Sequence, residues 1–338
     1  MPPPDPILDR QSIEQLAEQG YLPGPLFDRA LTLAGIVPDG ARWRQFLDRL
    51  LLIAGCTFIA AAIIFFIAYN WQEMGRFLKF GLLEAALVLS VAASIAWRND
   101  PLRRQASLLL TVLLVGPLLA LVGQTYQTGA DTYELFLAWA ALSLPWAFLA
   151  AWRPVWCWWV SIANAALWLY FAEVGLLGWW VPLIFATHHI VLSLLTANAL
   201  LLILAEWAGR RGWISGRFHT LERLLALLVI GAATFLHLLF LFERIGVPEW
   251  LWLIALATYI IVWAAYRWGR LDVVILSMWA TAVIVVILCT VGKQVLKGRD
   301  EAAGFLLLGI LAIGLSAAAA LWLRRLSQHA AAKAQEAL

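Results

Sequence analysis

Charged residues are scarce in this chain, and their scarcity argues against an ordinary soluble domain. Only 13% of the 338 residues are Asp, Glu, Lys or Arg, against roughly 25% in typical soluble domains. Hydrophobic residues make up 63%, which is more than a soluble protein can bury in its core. The basic residues are scattered among loops rather than gathered into a patch with interleaved aromatic residues, so nucleic-acid binding is not expected.

Cysteine is rare as well, and catalytic signatures are missing. Cys56, Cys157 and Cys289 each lie inside an apolar run, without CxxC spacing or a neighbouring histidine, so we interpret them as packing residues and expect no metal site. The chain contains no GxSxG, HExxH, Walker A or GxGxxG motif and no paired carboxylates at productive spacing. A soluble-type enzyme is therefore disfavoured, and no cofactor is expected.

Long apolar runs dominate what is present. They last about 18 to 24 residues, which is the length of a transmembrane helix rather than of a membrane strand. Hydrocarbon also requires each span to satisfy its own backbone hydrogen bonds. The sequence therefore predicts an all-α transmembrane bundle of about ten spans. We place them near residues 50–69, 77–97, 106–123, 132–151, 155–172, 183–207, 220–242, 249–267, 271–291 and 302–323.

The N-terminal residues differ from the rest in composition. Four of the first six residues are proline, which prevents a helix there. Residues 9–19 and 26–34 are amphipathic and predict a helical hairpin, and residues 41–49 predict an interfacial helix that runs into the membrane.

The chain therefore divides into four predicted parts. They are a cytoplasmic segment over 1–49, spans 1–5 over 50–172, spans 6–10 over 173–323 and a cytoplasmic tail over 324–338. Residues 173–185 fit either a re-entrant turn or part of the sixth span.

The basic residues also predict an orientation. Of the 24 Lys and Arg residues, 18 fall on the side of the N terminus and 6 on the opposite side if the chain has ten spans. Loops rich in Lys and Arg stay in the cytoplasm. We therefore expect both termini in the cytoplasm and contact with the lipid bilayer along all ten spans.

Polar residues at membrane depth are costly, so each one is a candidate functional group. One set comprises Asn70, Trp71 and Glu73 in the turn after the first span, and Glu84 about two turns, or roughly 10 Å, into the second. An acid at that depth is protonated, paired or exposed to water. We predict that Glu84 faces the bundle interior, either as a ligand or proton site or as a carboxyl hydrogen-bonded between helices.

A second candidate set lies in the polar turn after the third span. It includes Gln124, Tyr126 and Asp131, and it contains no basic residue. Asp131 is placed either to cap the fourth span, with Glu134 completing a capping-box pattern, or to present a carboxylate to a ligand.

Three histidines complete the candidates. His188 and His189 lie in the sixth predicted span and His237 in the seventh, and such a pair could carry protons. Adjacent side chains on a helix point about 100° apart, which argues against a shared metal ion.

The order of the cytoplasmic hairpin and two polar turns resembles a known family. The segments 68–73 (AYNWQE) and 123–131 (GQTYQTGAD) are similar to those of the bacterial membrane proteins grouped as domain of unknown function 2157, over residues from about 10 to 150. The resemblance implies a bacterial inner-membrane protein but no reaction. It also implies a small membrane-anchored partner protein with a Gly-Asp-Tyr-containing motif.

Three functions fit these observations. The first is a non-enzymatic component of a membrane or envelope complex. The second is a transporter or lipid-handling protein that uses Glu84 and the histidines, supported by the opposite entry faces of spans 1–5 and 6–10, as in inverted repeats. The third is a membrane enzyme acting on lipid-linked substrates, which lacks an acid–base cluster.

Overall fold

The structure, a computed structural model, describes residues 10–34, 37, 40–176, 183–213, 219–242, 248–295 and 301–336. In these ranges the chain forms twelve α-helices and one π-helical turn, Ala265–Gly269, at the end of the tenth helix. The helices are α1 (Arg10–Glu18), α2 (Gly24–Leu33), α3 (Gly40–Tyr69), α4 (Arg76–Ala96), α5 (Pro101–Tyr126), α6 (Thr132–Ala150), α7 (Arg153–Leu176), α8 (Leu183–Arg210), α9 (Thr220–Phe242), α10 (Trp250–Ala264), α11 (Val273–Val295) and α12 (Glu301–Glu336).

Ten of the described helices, α3 to α12, are long and apolar enough to cross a membrane. This confirms the predicted all-α bundle of ten spans. The first span is longer than predicted, because the amphipathic stretch 41–49 continues directly into it as one helix that begins at Gly40. The question of a re-entrant turn at 173–185 falls mostly on residues 177–182, which lie outside the described ranges.

The chain divides into two compact units. One contains Met1–Ala54 with Leu321–Leu338, and the other contains Gly55–Ala320. In the first unit α1 packs against α2, and Ile13 and Leu31 are buried. These two helices coincide with the amphipathic stretches at 9–19 and 26–34.

The second unit is built around α5 and α9. Helix α5 packs between α4 and α6, and α9 packs against α7, α8, α10 and α11. Leu225, Val229, Ala233 and Leu236 of α9 are almost completely buried, and their spacing of three or four residues places them on one helix face. The small Ala233 at a crowded position allows neighbouring helices to approach closely.

A tight contact between α5 and α6 also depends on a small residue. The Trp139 indole donates a hydrogen bond from Nε1 to the Val112 carbonyl at 2.7 Å. It lies directly over Gly116, where a Cβ atom would overlap the ring. Glycine at this position is therefore required for the indole to reach its acceptor.

Polar side chains pair between neighbouring helices inside the second unit. Ser90 bonds Thr111 at 2.8 Å, Asn164 and Asn198 exchange amide hydrogen bonds at 3.0 and 2.6 Å, and Thr234 bonds the Tyr259 hydroxyl at 2.7 Å. These pairs join α4 to α5, α7 to α8 and α9 to α10. In a membrane such a bond contributes about 0.6 kcal/mol on average and up to about 1.7 kcal/mol.

Candidate functional site

The turn between α3 and α4 is held by contacts within itself. Asn70 Nδ2 donates to the Phe66 carbonyl at 2.8 Å, and the Asn70 backbone amide donates to the same carbonyl at 3.1 Å. Lys79 Nζ lies 3.6 Å from the centroid of the Trp71 ring, a cation–π contact. Glu73 is exposed. Asn70 and Trp71 therefore have local structural partners.

Glu84 is exposed on α4, so the prediction that it faces the bundle interior is wrong. The buried residues of α4 are Lys79, Leu83, Ser90 and Ser94. Glu84 follows Leu83 and is rotated about 100° away from that buried stripe. It lies eight residues, or about 12 Å, along a 21-residue helix. Within the described residues its carboxyl makes no hydrogen bond or ion pair.

The polar turn between α5 and α6 lies at the same end of the second unit as the Asn70 turn. The Tyr126 ring is 6.0 Å from the ring of Phe80, which brings the end of α5 to the start of α4. Gln124 is exposed, as is most of Tyr126. Asp131 occupies the N-cap position of α6, but its side chain makes no capping hydrogen bond.

The histidines are separate from Glu84. His188 is buried and its neighbour His189 is exposed on α8, with ring centroids 4.1 Å apart, while His237 is partly buried on α9. Helix α4 packs against α5, whereas α8 and α9 pack against each other. The described part of the chain contains no group of three or more His, Cys, Asp or Glu residues that could hold a metal ion.

The structure also contains a cluster of buried and partly buried charged side chains that we did not predict, here called the ionic cluster. Its members are Arg153, Glu206, His219, Glu222, Arg223, Tyr266, Arg270 and Asp272. At its centre Arg153 binds Glu222 through two hydrogen bonds, Nε to Oε2 at 3.2 Å and Nη2 to Oε1 at 3.0 Å. Their side chains are only 5% and 1% exposed. This two-point pairing of a guanidinium with a carboxylate is among the strongest side-chain interactions.

Arg270 connects Glu206 and His219 within the ionic cluster. Its Nη2 lies 3.0 Å from Glu206 Oε1, and the Tyr266 hydroxyl donates to the same oxygen at 2.8 Å. Arg270 Nη1 also lies 2.8 Å from Nδ1 of His219. These contacts tie the end of α8 to the end of α10 and the start of α9.

Asp272 completes the cluster at the start of α11. Its Oδ1 accepts hydrogen bonds from the amides of Val274 and Ile275 at 3.0 and 3.3 Å, which is an N-cap interaction. Its Oδ2 accepts from Arg223 Nε at 3.1 Å. One carboxylate therefore caps α11 and anchors it to α9.

Three guanidinium groups thus balance three carboxylates at one end of the second unit. Every carboxylate of the cluster is ion-paired. The cluster is therefore better suited to holding the ends of α7 to α11 together than to accepting a proton from a substrate. From the sequence alone, the three arginines could be interpreted only as charges that determine the orientation of the spans in the membrane. One signal that could have predicted the cluster is an acid such as Glu206 or Glu222 within an apolar run, close to the membrane end where arginines are concentrated.

This fold defines an all-α polytopic membrane protein. Residues 14–156 match the model of a family described as "Predicted membrane protein (DUF2157)", which confirms the resemblance found in the sequence. The matched segment runs from α1 to the start of α7 and includes Glu84 and Arg153. No curated protein and no solved structure matches the chain.

Proposed function

We propose that this protein is a non-enzymatic component of a membrane complex and that the exposed face of α4 binds a transmembrane helix of a small membrane-anchored partner protein. The observation that carries the proposal is Glu84, an exposed carboxyl inside a candidate span. Ionisable groups in hydrocarbon are expensive and are usually paired. Because no described residue pairs with Glu84, a donor on another chain would satisfy it.

The surface around Glu84 supports helix binding. Gly81, Val88 and Ala92 lie on the same side of α4 as Glu84 and are exposed. A Cβ atom added at Gly81 would meet no other atom within 4 Å. Small residues let two membrane helices approach closely enough for side-chain hydrogen bonds to form between them. The partner helix is expected to present a hydroxyl or another neutral hydrogen-bonding group opposite Glu84.

The remaining features of the proposal come from the sequence. The resemblance to the family implies a bacterial inner-membrane protein and a small membrane-anchored partner. The excess of Lys and Arg on one side supports cytoplasmic N and C termini. The alternative of a transporter using Glu84 together with the histidines receives no support from the geometry, because Glu84 and the histidines lie on helices that do not pack together.

Site-specific photo-crosslinking in native membranes tests this proposal. A photoreactive residue replaces Val88, one turn from Glu84, and a control places it at Ile203, which is 65% exposed on α8. We expect a discrete protein adduct from Val88 but not from Ile203. The adduct should contain a protein with a transmembrane helix and should weaken in Glu84→Leu.

Three outcomes would contradict the proposal. Adducts with lipid alone at Val88 would mean that no helix covers this face. An adduct between two copies of this chain would identify self-association instead of a partner protein. An adduct that Glu84→Leu leaves unchanged would show that the carboxyl is not the contact that selects the partner.

A further inference from the structure

A cavity of about 360 Å³ lies among α6, α7, α8 and α9. This volume is within the roughly 300–1,000 Å³ of small-molecule sites. The walls are almost wholly apolar, and the aromatic lining residues are Phe148, Trp156, Trp159, Trp207 and Trp213. Such a cavity suits a ligand with a substantial hydrocarbon part.

The cavity begins beside the ionic cluster and extends along α8. Its lining on that helix runs from Leu201 to Ala208, a rise of about 10 Å. The next residue, Gly209, contacts the ion pair, since a Cβ atom there would lie 3.2 Å from Glu222 Oε1. One end of the cavity is therefore at the charged end of the helices, and the other reaches into the span.

One lining residue of the cavity, Trp156, has a buried hydrogen-bond donor without an acceptor in the described part of the chain. This donor is the indole Nε1. Phe148 and Trp159 contact the Trp156 ring edge-to-face, with centroids 4.9 and 5.7 Å away, and so fix its position. A buried N–H without an acceptor is costly, whereas an oxygen of a bound ligand would satisfy it.

Unbalanced positive charge lies next to one lining residue of the cavity. The ionic cluster has equal numbers of guanidinium and carboxylate groups, but Arg210 and Arg211 at the end of α8 are exposed and lack an ion pair among the described residues. The Arg211 guanidinium lies 4.6 Å from the centroid of the Trp207 ring, and Trp207 lines the cavity. Arg211 is therefore placed to attract an anion beside the cavity.

We infer that this cavity binds an acyl chain of an anionic phospholipid. The chain occupies the apolar cavity, the phosphate faces Arg211, and an ester or phosphate oxygen accepts the Trp156 Nε1 hydrogen bond. A second cavity, of about 420 Å³ between α9 and α11, likewise has no charged residue in its lining, and its one aromatic lining residue is Phe235. The combination of an aromatic cavity, an unsatisfied donor and adjacent arginines distinguishes the first cavity as the lipid site.

Native mass spectrometry of the purified full-length protein in detergent tests this inference. The protein is titrated with phosphatidylglycerol, with phosphatidylcholine of the same acyl chains and with glycerol 3-phosphate. We expect one saturable phosphatidylglycerol site and weaker phosphatidylcholine binding. Arg211→Gln should weaken phosphatidylglycerol binding about fivefold, the effect of one basic group near an anionic lipid. Trp156→Phe, which keeps the ring but removes the donor, should also weaken it.

Arg98→Gln is the matched control, because Arg98 is exposed in the turn after α4 and remote in sequence from the cavity. It should leave binding unchanged. Equal affinity for the two phospholipids, or an equal loss in Arg98→Gln and Arg211→Gln, would overturn the inference of an anionic-lipid site. Tight binding of glycerol 3-phosphate would identify a soluble phosphate compound as the ligand instead. Unchanged binding in both Arg211→Gln and Trp156→Phe would exclude this cavity.

Discussion

Removing the charge of Glu222 should destabilise the protein strongly. In Glu222→Gln the Arg153 guanidinium, only 5% exposed in its side chain, loses the carboxylate that binds it at two points. Breaking a buried ion pair by removing one partner costs about 3–5 kcal/mol, because the remaining charge stays buried without compensation. The free energy of unfolding, followed by tryptophan fluorescence during denaturant titration in mixed micelles, should fall by about that amount.

Two further variants make this prediction specific. Glu249→Gln removes an exposed carboxylate at the start of α10 and should change stability by less than about 0.5 kcal/mol. The double variant Arg153→Met/Glu222→Leu removes both charges and should recover most of the loss, since paired buried charges can often be replaced by apolar residues. A Glu222→Gln protein within about 1 kcal/mol of wild type, or a double variant less stable than the single one, would refute the reasoning.

Three other outcomes are expected. Gly116→Ala should cost about 1–3 kcal/mol in the same assay, because the new methyl group overlaps the Trp139 ring. Asn198→Leu should cost about 1–3 kcal/mol by leaving the Asn164 amide without its partner, and an unchanged stability would mean that the pair is not formed. A topology reporter fused after Gln127 should show an exterior location, and a cytoplasmic signal there would contradict the predicted orientation of the spans.

The number and position of the spans could be predicted because they depend on the length and apolarity of each run. The direction in which the Glu84 side chain points could not be predicted. Helix α4 carries polar residues on two faces, with Lys79, Ser90 and Ser94 on one and Glu84 on another, and the sequence alone does not show which of the two packs against α5. The buried face is chosen by contacts such as Ser90 with Thr111, which depend on how two helices are placed together.

The ionic cluster could not be predicted from the sequence, for a different reason. Arg153 and Glu222 are 69 residues apart, and Arg223 and Asp272 are 49 apart. Each residue alone fits an ordinary role, as a topological charge or a helix cap. Only the packing of α9 against both α7 and α11 brings the opposite charges together.

The central claim is that Glu84 serves a contact outside its own chain. It is tested most directly by the affinity of the purified protein, in lipid nanodiscs, for the partner recovered by crosslinking at Val88. We predict that Glu84→Leu weakens binding roughly 3- to 20-fold, the effect of one hydrogen bond between membrane helices, while Glu84→Gln stays close to wild type and all three proteins are equally stable. Equal affinity in Glu84→Leu and wild type would contradict the claim, as would a Glu84→Leu protein that loses stability in the absence of the partner.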